Sequence, residues 1–168
     1  MIRAYIALGA NLGAPVATIT AALAALADIA ATTVAARSSL YRTAPVGLKH
    51  QPDFINAVAA VDTTLAPLPL LEALFELEAR FGRSRSLPNA PRTLDLDLLL
   101  HGDARQDTAR LILPHPRMHE RAFVLAPLAE IAPDCQIPGR GRVAELLARC
   151  RDQRVARLEA HAPGVCVS

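Results

Sequence analysis

The order in which the hydrophobic period changes along this chain constrains its fold more than any single residue does. Arg3 to Leu8 alternates small and apolar residues with the two-residue period of a strand. Gly9, Asn11 and Gly13 then read as a turn, and Pro15 opens a helix with Val16, Ile19, Leu23 and Leu26 along its buried stripe. The strand period returns over Thr32 to Arg42. It returns again over Phe54 to Val61, with Ile55, Ala57, Ala59 and Val61 on one face and Phe54, Asn56 and Val58 on the other. A second helix is expected from Pro67 to Phe81, buried through Leu70, Leu74, Leu77 and Phe81 and stopped by Gly82. Thr93 to His101 carries the strongest strand pattern, ended by Gly102-Asp103, with Leu111 to Leu113 as a candidate partner. This β-α-β-β-α-β order predicts an α+β fold: a ferredoxin-like, mainly antiparallel sheet with helices packed on one face. A helix is expected over Ala122 to Ile131, and residues 135–168, with a helical stripe at Val143, Leu146, Leu147 and Cys150, are expected as a C-terminal extension. A length of 168 residues suits one domain.

Charge narrows the function. A net charge of +2 is too small for a nucleic-acid surface. No stretch of about 18 apolar residues escapes charge or proline, so neither a membrane span nor a signal peptide is expected. Cys135, Cys150 and Cys166 are odd in number and widely spaced, which suits reduced thiols in the cytoplasm. The cations are concentrated: residues 80–121 hold eight arginines against five acids, and Lys49 is the one lysine in the chain. Guanidinium forks suit phosphate oxygens. The aperiodic stretch Thr43 to Pro52 reads as a long connection of the kind that carries function.

The chemistry centres on Thr93-Leu94-Asp95-Leu96-Asp97-Leu98. The leucines fall on one strand face and the carboxylates on the other, roughly 7 Å apart along the backbone. Hard oxygen ligands with open positions suit Mg²⁺, which keeps waters and takes its other ligands from phosphates. An isolated D-x-D is also what a half-exposed strand shows to water. The surrounding cations raise the first reading: Arg83, Arg85 and Arg92 precede the pair, and Arg110, His115, Arg117 and Arg121 follow it. No GxxxxGK[ST] loop is present. His115 and His119 stand four apart, but Pro114 and Pro116 oppose the helix that a zinc pair needs. Phe54 beside Asn56 could stack a flat heterocycle and read its edge, with Phe123 as the opposite plate. Core packing explains isolated rings equally well. Two other classes stay open: another Mg-dependent phosphoryl or nucleotidyl transferase, and an RNA-binding ferredoxin-like module, which would need exposed aromatic pairs on its strands.

Taken together, AYIALGANLG, SSLYRTAPVG, QPDFINAV, GRSR, APRTLDLDLLLHGD and LPHPRMHERAFVLAPLAEIAPD resemble the 6-hydroxymethyl-7,8-dihydropterin pyrophosphokinases of folate biosynthesis, over residues 4–134. The resemblance implies transfer of pyrophosphate from ATP to the pterin hydroxymethyl oxygen, giving AMP and the pterin diphosphate. It implies that Asp95 and Asp97 hold two Mg²⁺ ions on the ATP phosphates. Phe54 and Phe123 would sandwich the pterin, Asn56 would bond its edge, and the backbone around Thr43, Pro45 and Val46 would line its pocket. Arg83 and Arg92 would act on the transferring phosphates, with Arg85, Arg110, His115 and Arg121 as further nucleotide contacts. Gln51 and Glu78 also fall at family positions. The chain departs from some relatives at Asn89, Phe75 and Pro116, where they carry tryptophan, glutamine and tyrosine. The expected partners are these two small molecules, with no nucleic acid and no membrane, and the expected state is a monomer.

Overall fold

The computed structural model of the protein describes residues 1–44, 52–82 and 94–158. Four long segments build the principal sheet: β1 (Ile2–Ala10), β2 with β3 (Thr32–Arg37, Tyr41–Thr43), β4 (Phe54–Thr63) and β5 (Asp95–His101). β1 lies at the centre, antiparallel to β4 on one side and to β5 on the other, and β2 and β3 both pair with the far edge of β4. The expected single strand from Thr32 to Arg42 is thus two strands. Ser38 breaks it by turning its hydroxyl inward to accept the Val58 N–H at 2.9 Å. Helices α1 (Pro15–Ala25) and α2 (Pro67–Arg80) make the two crossovers, giving the ferredoxin-like βαββαβ arrangement.

α1 and α2 pack on one sheet face, where Ile6, Leu8, Ile55, Ala57, Leu96 and Leu98 meet Ile19, Leu23, Leu70 and Leu74 in one core. Val16 does not join it and is 43% exposed; the stripe runs Ile19, Ala22, Leu23, Leu26 instead. The other face is not left to solvent. α3 (Ala122–Ile131) and α4 (Val143–Ala148) cover it through a second core of Tyr5, Val58, Ala60, Leu99, Leu125, Leu128, Val143 and Leu146. The sheet is therefore covered on both sides over most of its area, with α3 and α4 as a third layer. This follows from strands such as Phe54–Thr63, whose residues are nearly all buried on both faces.

Two further expectations are corrected. Ile112–Leu113 (β7) pairs with Gln106–Asp107 (β6), not with β5. The Thr108 hydroxyl bonds both the N–H and the carbonyl of Leu111 and closes that short hairpin. Gly9 belongs to β1 rather than to the turn, which Gly13 makes with φ +65°. The remaining strands are β8 (Gln136–Ile137) with β9 (Gly141–Arg142), and β10 (Ala156–Arg157), which adds to β3 at the edge of the main sheet. No helix of the described residues is long and apolar enough to cross a membrane.

Candidate active site

Alternation puts Leu94, Leu96 and Leu98 into the α1/α2 core and leaves Asp95 and Asp97 on the opposite face, half-exposed and exposed respectively. Strand register then decides what they share that face with. Asp95 lies opposite Gly9, Gly9 opposite Asn56, and Asn56 opposite Tyr41; in the next row Asp97 lies opposite Ala7 and Ala7 opposite Val58. Carboxylates and amide are thus separated by two inter-strand spacings, roughly 10 Å, across a floor of glycine and alanine. An added Cβ on Gly9 would stand 3.2 Å from Asn56 Oδ1, so glycine is what lets the amide lean over β1.

Asn56 is 6% exposed and its orientation is settled by Nδ2, which donates to Thr43 Oγ1 at 2.9 Å. The amide oxygen and the second N–H are thereby directed to one side. Phe54 shares the face of Asn56 two residues earlier, and Phe123 rises from the first turn of α3, which covers that face. The Arg121 guanidinium carbon lies 5.5 Å from the centroid of the Phe123 ring, a cation–π distance.

Glu78 answers for the free edge of β5. It is 1% exposed on α2, and its Oε2 accepts the Leu96 N–H at 2.8 Å, between the two aspartates. His115 is tied to the same edge by its own N–H, which donates to the Leu99 carbonyl at 3.0 Å. Its Nδ1 accepts the Arg117 N–H at 3.2 Å, which leaves the ring proton on Nε2 as a donor. Burial, with Arg121 and Arg117 nearby, pushes the imidazole down to about 4. The ring is therefore a neutral N–H donor near neutral pH, suited to an anionic oxygen.

That depression has a consequence for stability. Between pH 6.5 and about 4 the unfolded chain takes up a proton that the folded His115 refuses, so its contribution is complete above pH 6.5 and is lost as pH falls through that window. Urea denaturation at a series of pH values is expected to show this slope in the parent protein and a flatter one in His115→Asn.

Among the described residues no group of three or more His, Cys, Asp or Glu side chains is placed to hold a metal. Two oxygen donors on an open face nevertheless fit Mg²⁺, which completes its shell with water and substrate phosphate; they do not fit zinc, and His115 with His119 forms no such centre. Arg110 pairs with Glu72 of α2 at 3.1 Å, both side chains more than half exposed. Arg83, Arg85, Arg92, Pro45, Val46 and Gln51 lie outside the described residues. Phe75 packs against the α1/α2 core. Two open grooves among the described residues, about 430 and 460 Å³, are lined by neither Asp95 nor Asp97. The convergent chemistry, rather than the volume, marks the site. Sequence reasoning sets the glycines from Gly9 to Gly13 close to the site as turn residues; the floor position of Gly9 within β1 is what it does not give.

Comparison with known proteins places the chain in a family. The sequence model of one family, described as 7,8-dihydro-6-hydroxymethylpterin-pyrophosphokinase (HPPK), matches residues 5–133. A 2-amino-4-hydroxy-6-hydroxymethyldihydropteridine pyrophosphokinase of Pseudomonas aeruginosa is 49% identical over 156 residues, covering 93% of this chain and 96% of the relative. The protein of the same name from Haemophilus influenzae is 44% identical and covers 94% and 99%. Among solved structures, an HPPK-DHPS in complex with substrates superposes with a TM-score of 0.73 at 13% identity, covering 95% of this chain. A Plasmodium falciparum HPPK-DHPS gives 0.68 at the same identity, covering 89%. The chain spans a little under half the length of those two solved chains, 47% and 43%, and at that identity they speak for the fold alone. The family match includes β1, β4, β5 and the start of α3, the segments that bring Gly9, Asn56, Asp95, Asp97 and Phe123 to one face, and on it the chain belongs to the 7,8-dihydro-6-hydroxymethylpterin-pyrophosphokinase family.

Proposed function

We propose that the protein transfers pyrophosphate from ATP to 6-hydroxymethyl-7,8-dihydropterin, releasing AMP, as a step of folate biosynthesis. The observation that carries this reading is the cross-strand row Asp95–Gly9–Asn56, with Phe54 and Phe123 on the same side of the sheet. Two strand spacings are the reach of a fused bicyclic ring and its hydroxymethyl arm, from an amide at one end to phosphate held at the other. Asp95 and Asp97 would hold two Mg²⁺ ions. When bound, these ions would offset phosphate charge and favour ionisation of the attacking hydroxyl.

The chain's own groups do the rest. Asn56, oriented by Thr43, reads the pterin edge, and the two phenylalanine rings hold its plane. The hydroxymethyl oxygen then lies in line with the β-phosphorus; a bond forms between them as the hydroxyl proton passes to water, the bond from the β-phosphorus to the α,β-bridging oxygen breaks, and AMP leaves with that oxygen. Effective alignment is the larger part of such catalysis. His115 Nε2–H and Arg121 donate to phosphate oxygens, and Arg110 joins them on releasing Glu72. Arg83, Arg85 and Arg92 would contact the phosphates, and Pro45 and Val46 the pterin, as the family resemblance implies. We take residues 1–168 as one catalytic domain acting as a cytoplasmic monomer; the unpaired thiols of Cys135 and Cys150 support a reducing compartment.

Product analysis after incubation with Mg-ATP and the pterin tests the reaction. AMP in a one-to-one ratio with the pterin diphosphate is expected. ADP with a pterin monophosphate would instead identify a simple kinase on the same scaffold.

A further inference from the structure

α3 begins without a cap of its own. Arg121 stands at its N-cap and makes no side-chain cap hydrogen bond, although the first N–H groups of a helix have no intrahelical acceptor. The need is met from the far end of the chain. Gln153 Oε1 accepts the Ala122 N–H at 2.9 Å, and Gln153 Nε2 donates to the Glu120 carbonyl at 2.8 Å. Reversing the amide would set donor against donor and acceptor against acceptor, so this orientation is the one that bonds. The two bonds straddle Arg121 and end one residue before Phe123.

Gln153 is itself presented from a held turn. Its N–H donates to the carbonyl of Cys150, a buried residue of the second core. Beyond it the chain enters β10, which pairs with β3, and Leu158 N–H donates to the Leu40 carbonyl at 2.9 Å. Arg157 reaches Glu130 of α3 at 3.4 Å, and the same carboxylate accepts from the Ser39 N–H, the Ser39 hydroxyl and the Tyr41 hydroxyl. The C-terminal segment therefore touches both the helix that carries Phe123 and the strand that carries Thr43.

We propose that Gln153 is a positioning residue for the reaction: by holding the chain on both sides of Arg121, it sets how the Phe123 ring and the Arg121 guanidinium enter the slot. This rests on the functional reading above. Gln153 is exposed, so its influence comes through these two hydrogen bonds rather than through packing.

The test uses full-length Gln153→Ala and Gln153→Glu, with steady-state kinetics on both substrates, a melting temperature and hydrogen exchange at the Ala122 and Phe123 amides. Gln153→Ala is expected to raise the KM for pterin by about three- to tenfold, the scale of one lost helix cap, with faster exchange at both amides and a smaller change in kcat. Gln153→Glu keeps an acceptor for the Ala122 N–H and should restore part of the KM. A lowered melting temperature with both KM values unchanged would make Gln153 a purely structural residue and overturn the proposal, as would unchanged exchange at Ala122. A parent protein that forms no AMP would overturn the functional reading itself, and that result is visible before any variant is compared.

Discussion

Asp97→Ala is expected to lower turnover with Mg-ATP and the pterin by about a hundredfold or more, the scale of removing one main electrostatic stabiliser from a reacting centre. Asp97 is the exposed member of the pair and projects from the face opposite the leucine core, so its loss opens no cavity. The variant should accordingly keep its fold. The Mg²⁺ concentration for half-maximal activity should rise in the same variant, because Asp95 would be left as the single carboxylate of the pair. Initial rates over a Mg²⁺ titration measure both effects. Near-normal turnover at the parent's Mg²⁺ requirement would remove Asp97 from the metal site.

The second large effect is expected at a residue with no reactive group. Gly9→Val should fold, since β-branched residues suit strands and Gly9 is not among the glycines with positive φ. It should bind the pterin about 10- to 100-fold more weakly, the loss of one or two hydrogen bonds to the buried Asn56 amide. The cause is steric. A Cβ at this position already meets Asn56 Oδ1 at 3.2 Å, and the extra methyls must turn the amide away or occupy the floor between it and Asp95. Gly9→Ala should show a smaller loss in the same direction. Calorimetric titration of pterin in the presence of Mg²⁺ and a non-hydrolysable ATP analogue reads the series. Equal affinities across glycine, alanine and valine would show that the Asn56 amide does not face the substrate.

Much of the arrangement was legible before any coordinates. Period-two and period-3.6 patterns name the elements, because both are local consequences of how side chains leave a strand or a helix. They placed Asp95 and Asp97 on one face, Phe54 and Asn56 on another, and helices at Pro67 and Ala122. The segments around PRTLDLDLL and PHPRMHERAFVLAPL carried the family. The errors concern pairing. Thr32 to Arg42 as one strand and Gly9 as a turn residue are each overturned by a partner far away in the chain, whereas Leu113 is taken from β5 by Gln106, seven residues before it.

Local pattern is enough to specify the set of elements, the polarity of each face and the chemistry of the site's side chains. That the carboxylate face and the amide face are the same face, that α3 lies over it and that Gln153 holds the first turn of α3 depend on the packing of distant segments. The physical reason is register: alternation specifies a face to within a twofold choice, while hydrogen bonds between distant strands decide which faces coincide and which side chains stand in one row.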